Sequence, residues 1–293
     1  SREQKLAWNH LQWVLDYSSV AMGEKQIIVL NEMAAHDYLR VLPNVIELEK
    51  RESFEEIDHI AAFTMVIDAV GERYFQGKGT AIWSVSASGF THERVNKVAR
   101  QVIGRAGRYL LGSNFPTLYF LARGMKTHGF KPFENAITTT ESCHESMRTI
   151  SHLHRLDESR HMATSLHLAR LSTLVLDTLP KDNRLIFKAA CEACFPKGRS
   201  TEYPLSYWRK VLASSSIYAN IPESSKQQLL QHIETRLNAN IQHLHELQAR
   251  LTRQANKRIV EEAGLSPEMK KIFVEHMRSD PAYAATVDAV QLH

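Results

Sequence analysis

The sequence predicts an all-α protein: a four-helix bundle with additional C-terminal helices. Three observations carry that prediction. Long stretches space their apolar residues three and four apart. Only 9 Pro and 12 Gly interrupt 293 residues that are 43% hydrophobic, which argues for a packed core rather than disorder. Finally, HRLDESRH, residues 154–161, puts His154, Glu158 and His161 at offsets of four and three, on one face of a helix.

A first helix is expected from about Trp8 to Leu42, stopped by Pro43. A second covers about Val45 to Phe75, with SFEE at Ser53 as a capping-box alternative for its start. Residues 76–91, QGKGTAIWSVSASGFT, read as a long glycine- and serine-rich connection with a short β-like IWSVS. A third helical region is expected from about His92 through the 120s, interrupted near GSNFP at 112–116, and a fourth from about Ser142 to Leu179. Shorter helices follow at about 183–195, 204–216, 222–263, 267–278 and 281–290, with PKGRSTEYP (196–204) as the clearest loop. Two helices, a crossover and two more is the order of a ferritin-like bundle. The expected division is 1–180 for the bundle and 181–293 for a C-terminal extension packed on it.

Composition narrows the classes of function. The net charge of +4 is small and its basic residues are dispersed, so no nucleic-acid partner is expected. No run of apolar residues is long enough for a membrane span, and no signal peptide is expected at SREQKLAWNHLQW. Three cysteines, Cys143, Cys191 and Cys194, fit a reducing cytoplasm better than a disulfide framework. Cys191 and Cys194 form a CEAC that lacks a second pair for zinc, so two core cysteines are the default reading.

The chemistry is concentrated in two E-x-x-H pairs. Glu56–His59 lies in EEIDHIAAF on the second helix, and Glu158–His161 lies on the fourth. One such pair arises readily by chance. Two of them, on core helices separated by a crossover, match the ligand supply of a di-iron or di-manganese carboxylate site. Carboxylates can bridge two metals, imidazoles cap them, and a mixed N/O set with open positions suits iron that meets dioxygen. The pattern calls for one more carboxylate on each remaining helix, about thirty residues upstream. On the first helix Glu24 fits, with Glu32 as rival; on the third, RGMKTH (123–128) has no acid, leaving His128, or Glu134 beside Pro132. The expected metal ligands are therefore Glu24, Glu56, His59, His128, His154, Glu158 and His161, with no catalytic side chain beyond them. Arg123 and Lys126 could bind a substrate carboxylate but read more simply as a solvated face, while Arg160 should point away from the metals.

GEKQ, EEIDHIAAF and ISHLHRLDESRHM together resemble the p-aminobenzoate N-oxygenase (AurF-type) branch of the ferritin-like di-iron oxygenases, over roughly residues 15–175. In that family an E-x-x-H on helix two is paired with H-x-x-x-E-x-x-H on helix four, and here His154 supplies the extra histidine. The family's third-helix glutamate has no counterpart at the expected place. The resemblance implies two iron ions, O2 as co-substrate, an electron donor (a reductase or ferredoxin), and N-oxygenation of a small amine in specialised metabolism. A C–H hydroxylase or desaturase would use the same ligands, and a non-catalytic scaffold with a degenerate site would explain the missing acid. A ferritin-type store is disfavoured by the C-terminal extension. A homodimer through 222–263 is a further expectation.

Overall fold

The computed structural model describes residues 1–38, 42–76, 82, 115–175, 202–239 and 267–279. Among them the chain is helical: α1 (Arg2–Tyr38), α2 (Pro43–Tyr74), α3 (Phe115–Thr138), α4 (Glu145–Val175), α5 (Glu202–Ser214), α6 (residues 223–239) and α7 (Pro267–Arg278). No strand occurs among the described residues.

The helices pair as two hairpins, α1 with α2 and α3 with α4. Each pair is joined by only a few residues, which forces an antiparallel arrangement. Pro43 occupies the first turn of α2, where its missing N–H costs nothing. The third bundle helix, α3, has Pro116 in its first turn and runs past the expected end in the 120s, through Pro132 to Thr138. The expected start near His92 and residues 112–114 of the expected interruption lie outside the described residues, as do IWSVS beyond Ile82, the CEAC cysteines, the helices at 183–195 and 281–290, and residues 240–263 of the expected helix 222–263. Cys143 is buried and free. At the other loop, Glu202–Pro204 belong to α5 rather than to a connection.

Large side chains of α1 and α2 make the core: Leu11, Trp13, Val14, Tyr17, Phe63 and Ile67 are fully buried. Burying each such side chain contributes roughly 1.5–3 kcal/mol relative to exposure. Trp208 of α5 stacks flat on Trp8, ring centroids 3.6 Å apart, and the Tyr207 hydroxyl donates to the Leu11 carbonyl at 2.7 Å. Past α5, the Ser216 N–H and the Ser215 and Ser216 hydroxyls donate to the Tyr74 carbonyl, capping the last turn of α2. These bonds fix one end of the bundle. They leave the middle of α1–α4 to the polar cluster described next.

Candidate metal centre

The bundle interior is charged at mid-height. Glu24, Glu56, Glu134, His154 and His161 are each at most 3% exposed, and His59 and Glu158 are also buried. Ionisable groups are rarely placed there without partners. Glu49, Glu52, Glu56, His59 and Phe63 occupy one face of α2, so the stripe that would be apolar in an ordinary helix is half carboxylate.

Two sets of atoms converge. Glu24, His59, His154 and Glu158 each offer one ligand atom within 4.8 Å of all the others, and Glu56, Glu158 and His161 do the same beside them. His154 Nε2 lies 2.9 Å from Glu24 Oε1, and His59 Nδ1 lies 3.5 Å from the same oxygen. Glu56 spans the two sets: its Oε2 is 3.3 Å from His59 Nδ1, and its Oε1 is 3.3 Å from His161 Nδ1. Glu158 Oε1 lies 2.9 Å from His161 Nδ1 and 3.9 Å from His154 Nε2. Glu56 and Glu158 thus sit between the sets, whereas Glu24 belongs to one.

Each imidazole has an inward and an outward nitrogen, and each outward nitrogen meets a further acid. His59 Nε2 is 3.1 Å from Asp157 Oδ2, His161 Nε2 is 2.9 Å from Glu55 Oε2, and His154 Nδ1 contacts Glu134 Oε1. This is how metal-bound histidines are usually held, with the second N–H donated to a carboxylate that fixes the tautomer. The bracing is reciprocal, because α2's Glu55 holds α4's histidine and α4's Asp157 holds α2's. Tyr17 donates its hydroxyl to Glu134 at 3.1 Å, which orients the third brace.

Without metal, protons do the balancing. Burial opposes charge on His59, but hydrogen bonds to Glu24 and Glu56 outweigh it and push its pKa up to about 11. His154 is likewise penalised by burial and raised to about 10 by Glu134 and Glu24. Glu158 and Glu56 raise His161 to about 10 against the same penalty. Burial resists ionisation of Glu56 and Glu158 too, but the imidazoles hold both below the ordinary carboxylate range. Burial wins at Glu24, whose carboxyl is held above that range despite His154 and His59. Its Oε2, like Glu134 Oε2, is buried with no hydrogen-bond partner, so the cluster has acceptor capacity that protons alone leave unused.

Six of the seven expected ligands are brought together in this way. Glu24 is in the cluster while its rival Glu32 is exposed. The side chain of His128 lies outside what the structure describes. Its rival Glu134 is buried beside the site, bound to His154 and Tyr17 rather than belonging to either converging set. Arg123 corrects the solvated-face reading. It is buried, its NH1 bound to Glu52 Oε2 and its NH2 3.1 Å from Glu56 Oε1. Arg160 does point outward, to Asp157 and Glu55. The motif reading missed Glu55 and Asp157, although the signal was present: both motifs read acid-Glu-x-x-His, EEIDH and DESRH.

The donor set of carboxylates and imidazoles, with unpartnered acceptor atoms and outward nitrogens braced, fits a pair of iron or manganese ions. A family model described as acyl halogenase CylC-like matches residues 1–106. That stretch includes α1 and α2, and with them Glu24, Glu56 and His59. The matched family is of the ferritin-like di-iron type, so the likeness supports di-iron oxygenase chemistry in general. It does not single out the N-oxygenase branch that the motifs resemble. No curated protein and no solved structure matches the chain. No described helix is long and apolar enough to cross a membrane.

Proposed function

We propose that this chain is a non-haem di-iron enzyme that oxidises a small organic substrate with O2. The observation that carries the reading is the buried constellation of three imidazoles, each facing shared carboxylates inward and a separate carboxylate outward. Glu24, His59, His154 and Glu158 would hold one ion, and Glu56, His161 and the shared Glu158 the other. A bound iron pair supplies electrons to O2 and delivers an oxidising equivalent to the substrate. The chain's own part is to keep the imidazoles in one tautomer and to exclude water with the Trp13, Tyr17 and Phe63 layer. An outside electron donor, a reductase or ferredoxin, would re-reduce the pair.

Two finer readings each rest on an observation. N-oxygenation of a small amine is what the resemblance of the motifs, His154 in H-x-x-x-E-x-x-H above all, to the N-oxygenase branch implies. Functionalisation of a C–H bond on an acyl substrate follows from the description of the family matched by residues 1–106. We favour the second reading because a family match over α1 and α2 stands behind it.

The test is anaerobic loading with Fe2+, metal analysis, and single-turnover reaction with O2 under mass spectrometry. An acyl thioester with chloride and a primary arylamine are the two substrates. Exchange of hydrogen for chlorine supports the acyl reading, and oxygen gained on nitrogen supports the amine reading. Failure to bind two irons per chain would leave a helical scaffold.

A further inference from the structure

Among the described residues the two ligand sets are not equivalent. The first set has two imidazoles and a carboxylate of its own, Glu24, contributed by α1. Among the described residues the second has one imidazole, and both its carboxylates, Glu56 and Glu158, also face the first set. In a bundle of two hairpins, α3 stands to α4 as α1 stands to α2. Glu24 lies 32 residues before Glu56, and Arg123 lies 35 before Glu158. From α3, Arg123 brings a guanidinium to the second set through Glu56.

We infer that Arg123 makes the two metal positions unequal, so that the first fills tightly and the second weakly. Its NH2 lies 3.1 Å from Glu56 Oε1, the oxygen that also faces His161, so a fixed positive charge competes with a cation for the same carboxylate. Its NH1 is bound to Glu52, which neutralises part of that charge. Glu52, Glu56 and Arg123 are all buried, where such a charge is poorly screened. A guanidinium cannot relieve the conflict by losing its proton. Loading is therefore ordered, and the second position stays open to exchange.

This inference rests on the metal reading above, and one titration separates the two. Full-length protein is titrated with Co2+ by calorimetry, with the visible absorbance of bound Co2+ recorded in parallel. Wild type should show two classes of site at least tenfold apart. Arg123→Gln should tighten the weaker class at least tenfold and narrow the gap, while Arg123→Lys, which keeps the charge, should retain the wild-type gap. A merely structural role for Arg123 predicts the opposite sign, because a disordered Glu56 would weaken the second class in Arg123→Gln. Equal classes in wild type, or an unchanged or weakened second class in Arg123→Gln, would overturn the inference. Absence of any Co2+ binding would instead overturn the metal reading. Should Arg123→Gln lose its helical circular dichroism, Glu52→Gln reads the same charge from the other side. It should weaken the second class, and no change there would overturn the inference equally.

Discussion

Metal binding at this centre must expel protons. At pH 7 the metal-free site holds His59, His154 and His161 as imidazolium ions, with pKa values pushed to about 11, 10 and 10. A metal takes only the neutral imidazole. One pH unit is worth about 1.36 kcal/mol per proton, so removing a proton at pH 7 from a group near 10 costs about 4 kcal/mol. Summed over three histidines the penalty is on the order of 14 kcal/mol, an upper bound because the carboxylates that raise these pKa values also bind the metal. Affinity should therefore rise with pH from neutrality until the histidines lose their protons near pH 10. The metal-free fold has the reverse dependence. Its imidazolium–carboxylate pairs contribute fully below pH 6.5, the unfolded value, and are lost as pH rises through about 10–11. The depressed pKa values of Glu56 and Glu158 contribute above about pH 4.5 and are lost as pH falls below it. The assay is Mn2+ calorimetry at pH 7 in two buffers of different ionisation enthalpy. Release of about three protons per two ions is expected. Release near zero would refute the charge balance described here.

Three further outcomes follow from named contacts. Glu55→Gln and Asp157→Asn each unbrace one outward imidazole nitrogen and should lower metal affinity about 10- to 100-fold, read by competition with a chromophoric chelator. Tyr17→Phe removes a 3.1 Å hydrogen bond to buried Glu134 and should cost about 1.5–3 kcal/mol in urea denaturation of the metal-free protein. Trp208→Ala empties a fully buried site stacked on Trp8 and should cost about 3–5 kcal/mol in the same assay while leaving metal stoichiometry unchanged, because the stack lies outside both ligand sets.

Much of the centre was legible because ligand spacing is a local property of a helix. Glu56–His59 and His154–Glu158–His161 need only the 3.6-residue period, and Glu24 needs only a hairpin of ordinary length. What escaped depended on register between helices. Arg123 has no sequence neighbour that marks it as buried. Its partners Glu52 and Glu56 lie 71 and 67 residues away, and an isolated arginine on a helix defaults to solvent. Glu55 and Asp157 are marked by the repeated acid-Glu-x-x-His, but that each braces a histidine on the other helix depends on register too. The length of the third helix failed differently: Pro132 stands inside α3, where a proline ordinarily ends a helix.

The inward and outward nitrogens have a consequence for substitution. His59 and His161 turn Nδ1 toward the centre, whereas His154 turns Nε2. An asparagine amide reaches about as far along its side chain as Nδ1, and a glutamine amide about as far as Nε2. Asparagine is thus the shape-matched neutral replacement at 59 and 161, and glutamine the match at 154. The same imidazole has three positions in this site but two different isosteres, and a substitution series that treats the histidines alike would confuse a lost donor with a misplaced one.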